Sequence, residues 1–282
     1  MTRIAVNGVH LNVERSGTGP ALLLLHGFTG SQATWVPYLL NTWSGFSLVA
    51  VDLLGHGHSD APLDPDRYRM ERCVEDLITL LDMLALPRAA LLGYSMGGRV
   101  ALHLALRAPQ RLWALILESA SPGIADVAAR AARAQSDAAL AAFIEQEGIE
   151  AFVDRWQALP LFATQARLSL AVRQTLRRQR LANNPQSLAN SLRGLGAGIQ
   201  ECVLLRLADV RIPVLLLAGA LDALYCDHAR SMAAVLPCRR LEIVPDAGHA
   251  VHWEQPTLFA GAVQTFLAEY KHYQPYQAYQ ER

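Results

Sequence analysis

Five short runs of unbroken apolar residues constrain this chain more than any other feature. They are ALLLLHG (21–27), FSLVAVD (46–52), AALLGYS (89–95), LWALILES (112–119) and VLLLAG (214–219). A strand with one wet face alternates polar and apolar residues. A run with almost no polar residue must be buried on both faces, as in a parallel sheet covered by helices. Between the runs lie segments of helical apolar spacing, such as 68–86 and 97–108. That alternation predicts an α/β fold of βαβ units with right-handed crossovers. At the N-terminus, RIAVNG and VHLNVERSG alternate around Asn7-Gly8 and predict an antiparallel hairpin.

The strand–helix alternation stops between about Pro122 and Val210. This stretch is rich in Ala, Arg, Gln and Leu, keeps helical periodicity and holds no strand-like run; the sheet pattern resumes at IPVLLLAG. An insertion between two parallel strands leaves from their carboxyl ends, where ligands bind in such sheets. The expected organisation is a core from 1–121 and 211–270, a helical cap from 122–210 over a site, and a polar, fraying tail at 271–282. A helical bundle that merely extends the core is the competing arrangement.

Gly93-Tyr94-Ser95-Met96-Gly97 matches G-x-S-x-G, lying after the strand-like AALL and before the helical GRVALHLAL. That context is what a nucleophile elbow requires. Average residue usage would produce only about 0.1 such matches in a chain of this length. A serine hydroxyl is a weak nucleophile and base until a histidine takes its proton. On such an elbow the partners follow in the order Ser, Asp, His. Asp222 ends VLLLAGALD and His249 lies in PDAGHAVHWEQP, so both fall on loops at the sheet edge that carries Ser95. Asp227, Asp246 and His252 compete for these roles; Gly248 frees the backbone beside His249, and His252 is expected to be structural. Backbone N–H groups of Phe28 and Met96 are the expected oxyanion hole. His26 is expected to brace its loop, and Asp52 to hold a turn.

Charge narrows the ligand. Lys plus Arg and Asp plus Glu balance at 25 each, so nothing draws the whole molecule to nucleic acid or an anionic membrane. An anionic ligand would have to be gripped by a few placed cations. The apolar runs are too short to span a bilayer. Cys73, Cys202, Cys226 and Cys238 show no CxxC or metal-ligand spacing and are expected to be free thiols. The first residues, MTRIAVNGVHLNVERSG, lack an apolar signal core, and a cytoplasmic location without metal is expected.

Taken together, LLLLHGFTGSQATW, VDLLGHGHSD, GYSMGGRVAL, ESASPGI, RQRLANNPQSLANSLRGLGAGIQ and GHAVHWEQP resemble the MenH family. These are the 2-succinyl-6-hydroxy-2,4-cyclohexadiene-1-carboxylate synthases of menaquinone biosynthesis, in the α/β-hydrolase superfamily. The resemblance runs from about residue 20 to 260, and ESASPGI and the NNP…SLRGLGAG segment are its more particular parts. It implies an α/β-hydrolase fold with an inserted helical cap, and a lyase that removes a proton and expels pyruvate. Ser95, activated by His249 and Asp222, is then the base; no cofactor is needed. It implies a polycarboxylate substrate, with Tyr94, Arg99, Arg133, Trp156 and Arg180 around the pocket. Arg177 and Arg178 compete with Arg180. Three stretches depart from the pattern. Ala223-Leu224-Tyr225 stands where the family has a lysine or similar polar residue, Gly196-Ala197-Gly198 replaces GTG, and Cys202-Val203-Leu204 is atypical. A carbon–carbon bond hydrolase or carboxylesterase on the same triad is the rival reading. A non-catalytic ligand-binding homologue is the third, against which the intact triad and elbow glycines argue.

Overall fold

The computed structural model describes residues 2–39 and 42–273. Among these, eight strands form one sheet: β1 (Thr2–Val6), β2 (Val9–Ser16), β3 (Ala21–Leu25), β4 (Ser47–Val51), β5 (Ala89–Tyr94), β6 (Leu112–Glu118), β7 (Val214–Gly219) and β8 (Arg239–Val244). Their spatial order is β1-β2-β4-β3-β5-β6-β7-β8, antiparallel from β1 to β4 and parallel from there on. All five apolar runs and the N-terminal hairpin are thus where the sequence places them. Asn7 and Gly8 both take positive φ, 44° and 84°, as a two-residue hairpin turn demands.

The apolar runs are unbroken because successive residues serve two different cores. Leu23 and Leu25 of β3, with Val49, Val51 and Leu91, pack against α2 (Met70–Met83), α3 (Met96–Arg107) and α7 (Ala223–Val235). Leu22 and Leu24, with Ala50, Leu92 and Ile116, pack on the opposite face against α1 (Val36–Leu39) and α9 (Pro256–Tyr270). Each such leucine contributes roughly 2 kcal/mol by burial. A short α8 (Val251–Glu254) precedes α9. The sequence windows at 68–86 and 97–108 resolve into α2 and α3; a 3-10 turn, Pro65–Tyr68, takes the residues just before α2.

Between β6 and β7 the chain forms α4 (Val127–Gln157), α5 (Leu170–Leu181) and α6 (Pro185–Leu195). These helices hold a third core of Ala141, Ile144, Phe152, Val153, Leu188, Ala189 and Leu192, against which Phe28 from the loop after β3 also packs. Gly148, at φ 78° and ψ −177°, breaks α4, and the segment beyond it carries Phe152 and Trp156 onto Phe28. The chain leaves β3 for β4 on one side and returns past it to β5 on the other. The loops after β3 and β5 therefore diverge and open a crevice at the strand carboxyl ends. Most of the tail, 274–282, lies outside the described residues; just before it, the Tyr273 hydroxyl donates to the Arg211 carbonyl at 3.1 Å.

Candidate active site

Ser95 sits between β5 and α3 at φ 51° and ψ −107°, a conformation costing a non-glycine residue about 1–3 kcal/mol. The strain holds because the flanking backbone is locked. A side chain at Gly93 would overlap the Gly97 carbonyl, and one at Gly97 would lie 2.5 Å from the Leu25 carbonyl oxygen and 2.6 Å from that of His26. The second glycine of the motif is therefore demanded by β3, not by the turn alone. The Ser95 N–H donates to the Glu118 carbonyl at 2.9 Å, tying the elbow to β6.

His249 Nε2 lies 3.0 Å from Ser95 Oγ, and His249 Nδ1 lies 2.8 Å from Asp222 Oδ2. A carboxylate only accepts, so Nδ1 carries the proton and Nε2 is left to accept from the serine hydroxyl. Both His249 and Asp222 are buried. Asp222 also caps α7, its carboxylate accepting from the Tyr225 N–H at 3.3 Å. The structure thus brings the three residues together and parts them from their rivals. Asp227 pairs with Arg230 on the surface and Asp246 is exposed. His252 turns away to Glu118, with Nδ1 2.7 Å from Oε1.

The two expected braces behave as read. Asp52 accepts from the N–H groups of Gln32 (2.5 Å) and His58 (2.9 Å) and from Asn12 Nδ2 (2.8 Å). His26 donates from Nδ1 to the Gly27 carbonyl (2.8 Å) while Nε2 accepts from the Leu53 N–H (3.0 Å). Burial pulls the His26 pKa down to about 4, so it stays neutral. The loop it holds packs on the elbow: a side chain at Gly27 would come 3.5 Å from Ser95 Cβ and collide with the Tyr94 ring. This sets Phe28 beside Ser95. Met96 opens α3, where a backbone N–H has no acceptor within the helix and sees the positive end of its dipole.

The expected pocket residues divide into two groups. Arg99, one turn into α3, donates from Nη1 to Gln200 Oε1 at 2.6 Å. Its pKa falls to about 10, chiefly through desolvation by burial, with the neighbouring Arg133 acting in the same direction and Tyr225 against it. Arg133 in turn donates from Nε to Asp137 Oδ1 at 2.8 Å. On the other side, Arg180 is buried, 5.0 Å above the Phe162 ring, with Nη2 donating to Gln165 Oε1 at 3.0 Å. Burial pulls its pKa down while the Tyr94 hydroxyl pulls it up. Tyr94 lies 5.4 Å from the His249 ring, and burial keeps its phenol protonated. Trp156 stacks edge-on with Phe28 at 5.3 Å, and its buried Nε1 has no partner. Arg177 and Arg178 are instead engaged outside the pocket, with Asp154 and Thr175.

Several residues reach the site without any sequence signal of a role there. Tyr225 packs 4.4 Å from the His249 ring, and burial raises the pKa of its phenol. The stretch 223–225, which departs from the family pattern, thus places a tyrosine beside His249, while Leu224 is exposed. Gln200, Gln165 and Phe162 also escape notice, because a neutral amide or a phenylalanine in a helical stretch carries no signal of its own. Ala197 is buried between glycines in a turn whose Gly198 N–H reaches Asp137 at 3.4 Å. A cavity of about 40 Å³ lies among Phe28, Tyr94, Phe162, Gln165, Arg180 and His252. A separate cleft of about 900 Å³ opens between α2, α3 and residues 193–206, and Ser95, Asp222 and His249 do not line it. Among the described residues, no group of three His, Cys, Asp or Glu side chains is arranged to hold a metal, and no helix is long and apolar enough to cross a membrane.

Residues 20–256 match the family model of the alpha/beta hydrolase fold. Three relatives refine this. A Bacillus subtilis protein provisionally named 2-succinyl-6-hydroxy-2,4-cyclohexadiene-1-carboxylate synthase is 43% identical over 263 residues, 93% of this chain and 96% of that one. The synthase of that name from Serratia proteamaculans is 32% identical over 249 residues, 88% of this chain and 93% of that one. The structure of MenH from S. aureus superimposes with a TM-score of 0.89 at 32% identity, covering 93% of this chain and 99% of that one. The chain belongs to the alpha/beta hydrolase fold family and, within it, to the family of these synthases.

Proposed function

We propose that the protein is a carbon–oxygen lyase of menaquinone biosynthesis. It eliminates pyruvate from 2-succinyl-5-enolpyruvyl-6-hydroxy-3-cyclohexene-1-carboxylate to give 2-succinyl-6-hydroxy-2,4-cyclohexadiene-1-carboxylate. Family membership supports the reaction. The observation that carries the substrate class is the pair of desolvated guanidiniums, Arg99 and Arg180. Among the described residues each is answered by a glutamine oxygen and by no carboxylate. A buried cation without an anion is costly to maintain, and bidentate binding of a ligand carboxylate removes that cost. Arg99 stands one helical turn after Ser95 on α3, and Arg180 borders the same cavity as Tyr94 and Phe162. A substrate carrying several carboxylates is read as engaging both, with Arg133, Tyr94 and Trp156 as further contacts.

In the reaction His249 takes the hydroxyl proton of Ser95 while Ser95 Oγ takes a ring proton of the substrate. The electrons of the C2–H bond form the C2=C3 double bond, the C3=C4 pair shifts to C4=C5, the C5–O bond breaks, and the departing enolpyruvate takes the proton back through His249 to become pyruvate. Asp222 keeps the imidazole in the right tautomer and steadies its positive charge. The N–H groups of Phe28 and Met96 stabilise the enolate-like oxygen that forms on the way. Every step moves a proton or an electron pair within substrate and triad, so neither metal nor redox group is required. Residues 122–210 act as the cap: Phe162 and Trp156 close over the triad and exclude water from the anionic intermediate. Four free cysteines suit a reducing cytoplasm.

The test is to detect diene and pyruvate in equal amounts from the purified protein, with both lost in Ser95→Ala. Burst release of alcohol from simple aryl esters, without diene formation, would support a serine esterase or hydrolase instead.

A further inference from the structure

A second acid–imidazole pair lies beside the triad, and the reaction just described gives it no part. Glu118, fully buried at the end of β6, accepts on Oε1 from the His252 N–H (3.0 Å) and from His252 Nδ1 (2.7 Å). Through its own carbonyl, Glu118 also accepts from the Ser95 N–H (2.9 Å). One residue therefore holds Ser95 with its backbone and, with its side chain, the helical turn that begins two residues after His249. The other fastenings of that turn are local or act from a different side. Glu254 accepts from Gly248 N at 2.8 Å, within the loop, and the Tyr38 hydroxyl donates to the His252 carbonyl.

A carboxylate and an imidazole buried to this depth carry a desolvation cost that an apolar pair of similar size would avoid. The cost is not offset by a complete network, since Glu118 Oε2 and His252 Nε2 are both buried and without partners among the described residues. Buried polar groups left half-satisfied call for a role beyond stability. Their placement supplies one. The Tyr94 ring is wedged between the two histidines, 4.6 Å from His252 and 5.4 Å from His249, and Tyr94 pairs with Glu118 across β5 and β6. Any slip of His252 is thus passed by the chain, and by Tyr94, to the imidazole that must stay within hydrogen-bond reach of Ser95.

We propose that Glu118 and His252 form a positioning pair that sets the distance between His249 and Ser95, acting on the triad without touching substrate. The proposal rests on Ser95 and His249 working together, so its test uses a probe independent of which substrate the enzyme takes. A fluorophosphonate forms a bond from Ser95 Oγ to phosphorus, expels fluoride and hands the serine proton to His249. Its labelling rate reports the Ser95–His249 geometry. His252→Leu removes the donor to Glu118, and Glu118→Met removes the acceptor at similar volume. Each is expected to slow labelling roughly tenfold or more, since small misplacements of reacting groups carry costs of that order. The double variant should be no slower than the worse single one. In His252→Asn the amide nitrogen falls near the position of Nδ1, so the bond to Glu118 re-forms and most of the rate returns, which a loss of packing alone would not allow. Circular dichroism confirms folding of each variant before labelling. A folded His252→Leu or Glu118→Met labelled at the wild-type rate overturns the positioning pair, as does a His252→Asn no faster than His252→Leu. Wild-type protein that resists labelling altogether overturns the triad reading, and the proposal with it.

Discussion

If base and relay act as one unit, as the proposed function requires, removing Ser95 or His249 should cost nearly the same. Ser95→Ala and His249→Ala are each expected to lower kcat by about 10³-fold in a steady-state pyruvate assay. The arginines should behave differently. Arg180→Met exchanges a buried cation for an apolar chain of similar length in a pocket walled by Phe162. KM is expected to rise about tenfold or more, with no loss in melting temperature. A variant that melts earlier at unchanged KM would make Arg180 structural. At this scale Ser95, Asp222 and His249 were legible because a glycine-spaced motif and a fixed chain order announce them. Tyr225 was not, since its place over His249 depends on Asp222 capping α7 and turning the first helical residues inward. Glu118 was equally silent: only the register Tyr94↔Glu118 and the turn after His249 give it meaning.

Strands were more legible than helices, and for a physical reason. A strand buried on both faces needs no periodicity to be recognised, so 21–25 or 214–219 can hardly be anything else in a chain with this many such runs. Helix boundaries moved by a few residues where 3-10 turns such as Pro65–Tyr68 take over. The break in α4 could not be read, because Gly148 sits in an otherwise continuous helical pattern and its neighbours tolerate either conformation. The β5–α3 elbow is where a single methyl should matter most. Gly97→Ala presses a Cβ against the backbone carbonyls of Leu25, the last residue of central strand β3, and of His26 just after it, whose loop is pinned by its own hydrogen bonds. A loss of roughly 3 kcal/mol or more is expected from urea unfolding. A Gly97→Ala protein with wild-type stability would mean that β3 and the elbow are not this closely packed.

Two buried histidines couple the stability of the whole molecule to pH. Burial lowers His26 to about 4 and His56 to about 3, both below the ordinary histidine value near 6.5. Between those folded values and 6.5 the unfolded chain binds protons that the folded protein refuses. Stability therefore falls as pH drops below 6.5, by about 1.4 kcal/mol per pH unit for each fully uncoupled site. The urea midpoint should be lower at pH 5 than at pH 7; equal midpoints would mean that both imidazoles accept protons in place. The same molecule keeps Arg99 and Arg180 desolvated beside glutamines; under the proposed function, its stability and its ligand preference share one origin, charge buried around the site. The most direct test of that account is pyruvate release from 2-succinyl-5-enolpyruvyl-6-hydroxy-3-cyclohexene-1-carboxylate, measured against a blank without protein because the compound decays by itself. The account predicts release far above the blank in the wild type and at the blank in Ser95→Ala. Release no faster than the blank from folded wild-type protein would contradict it.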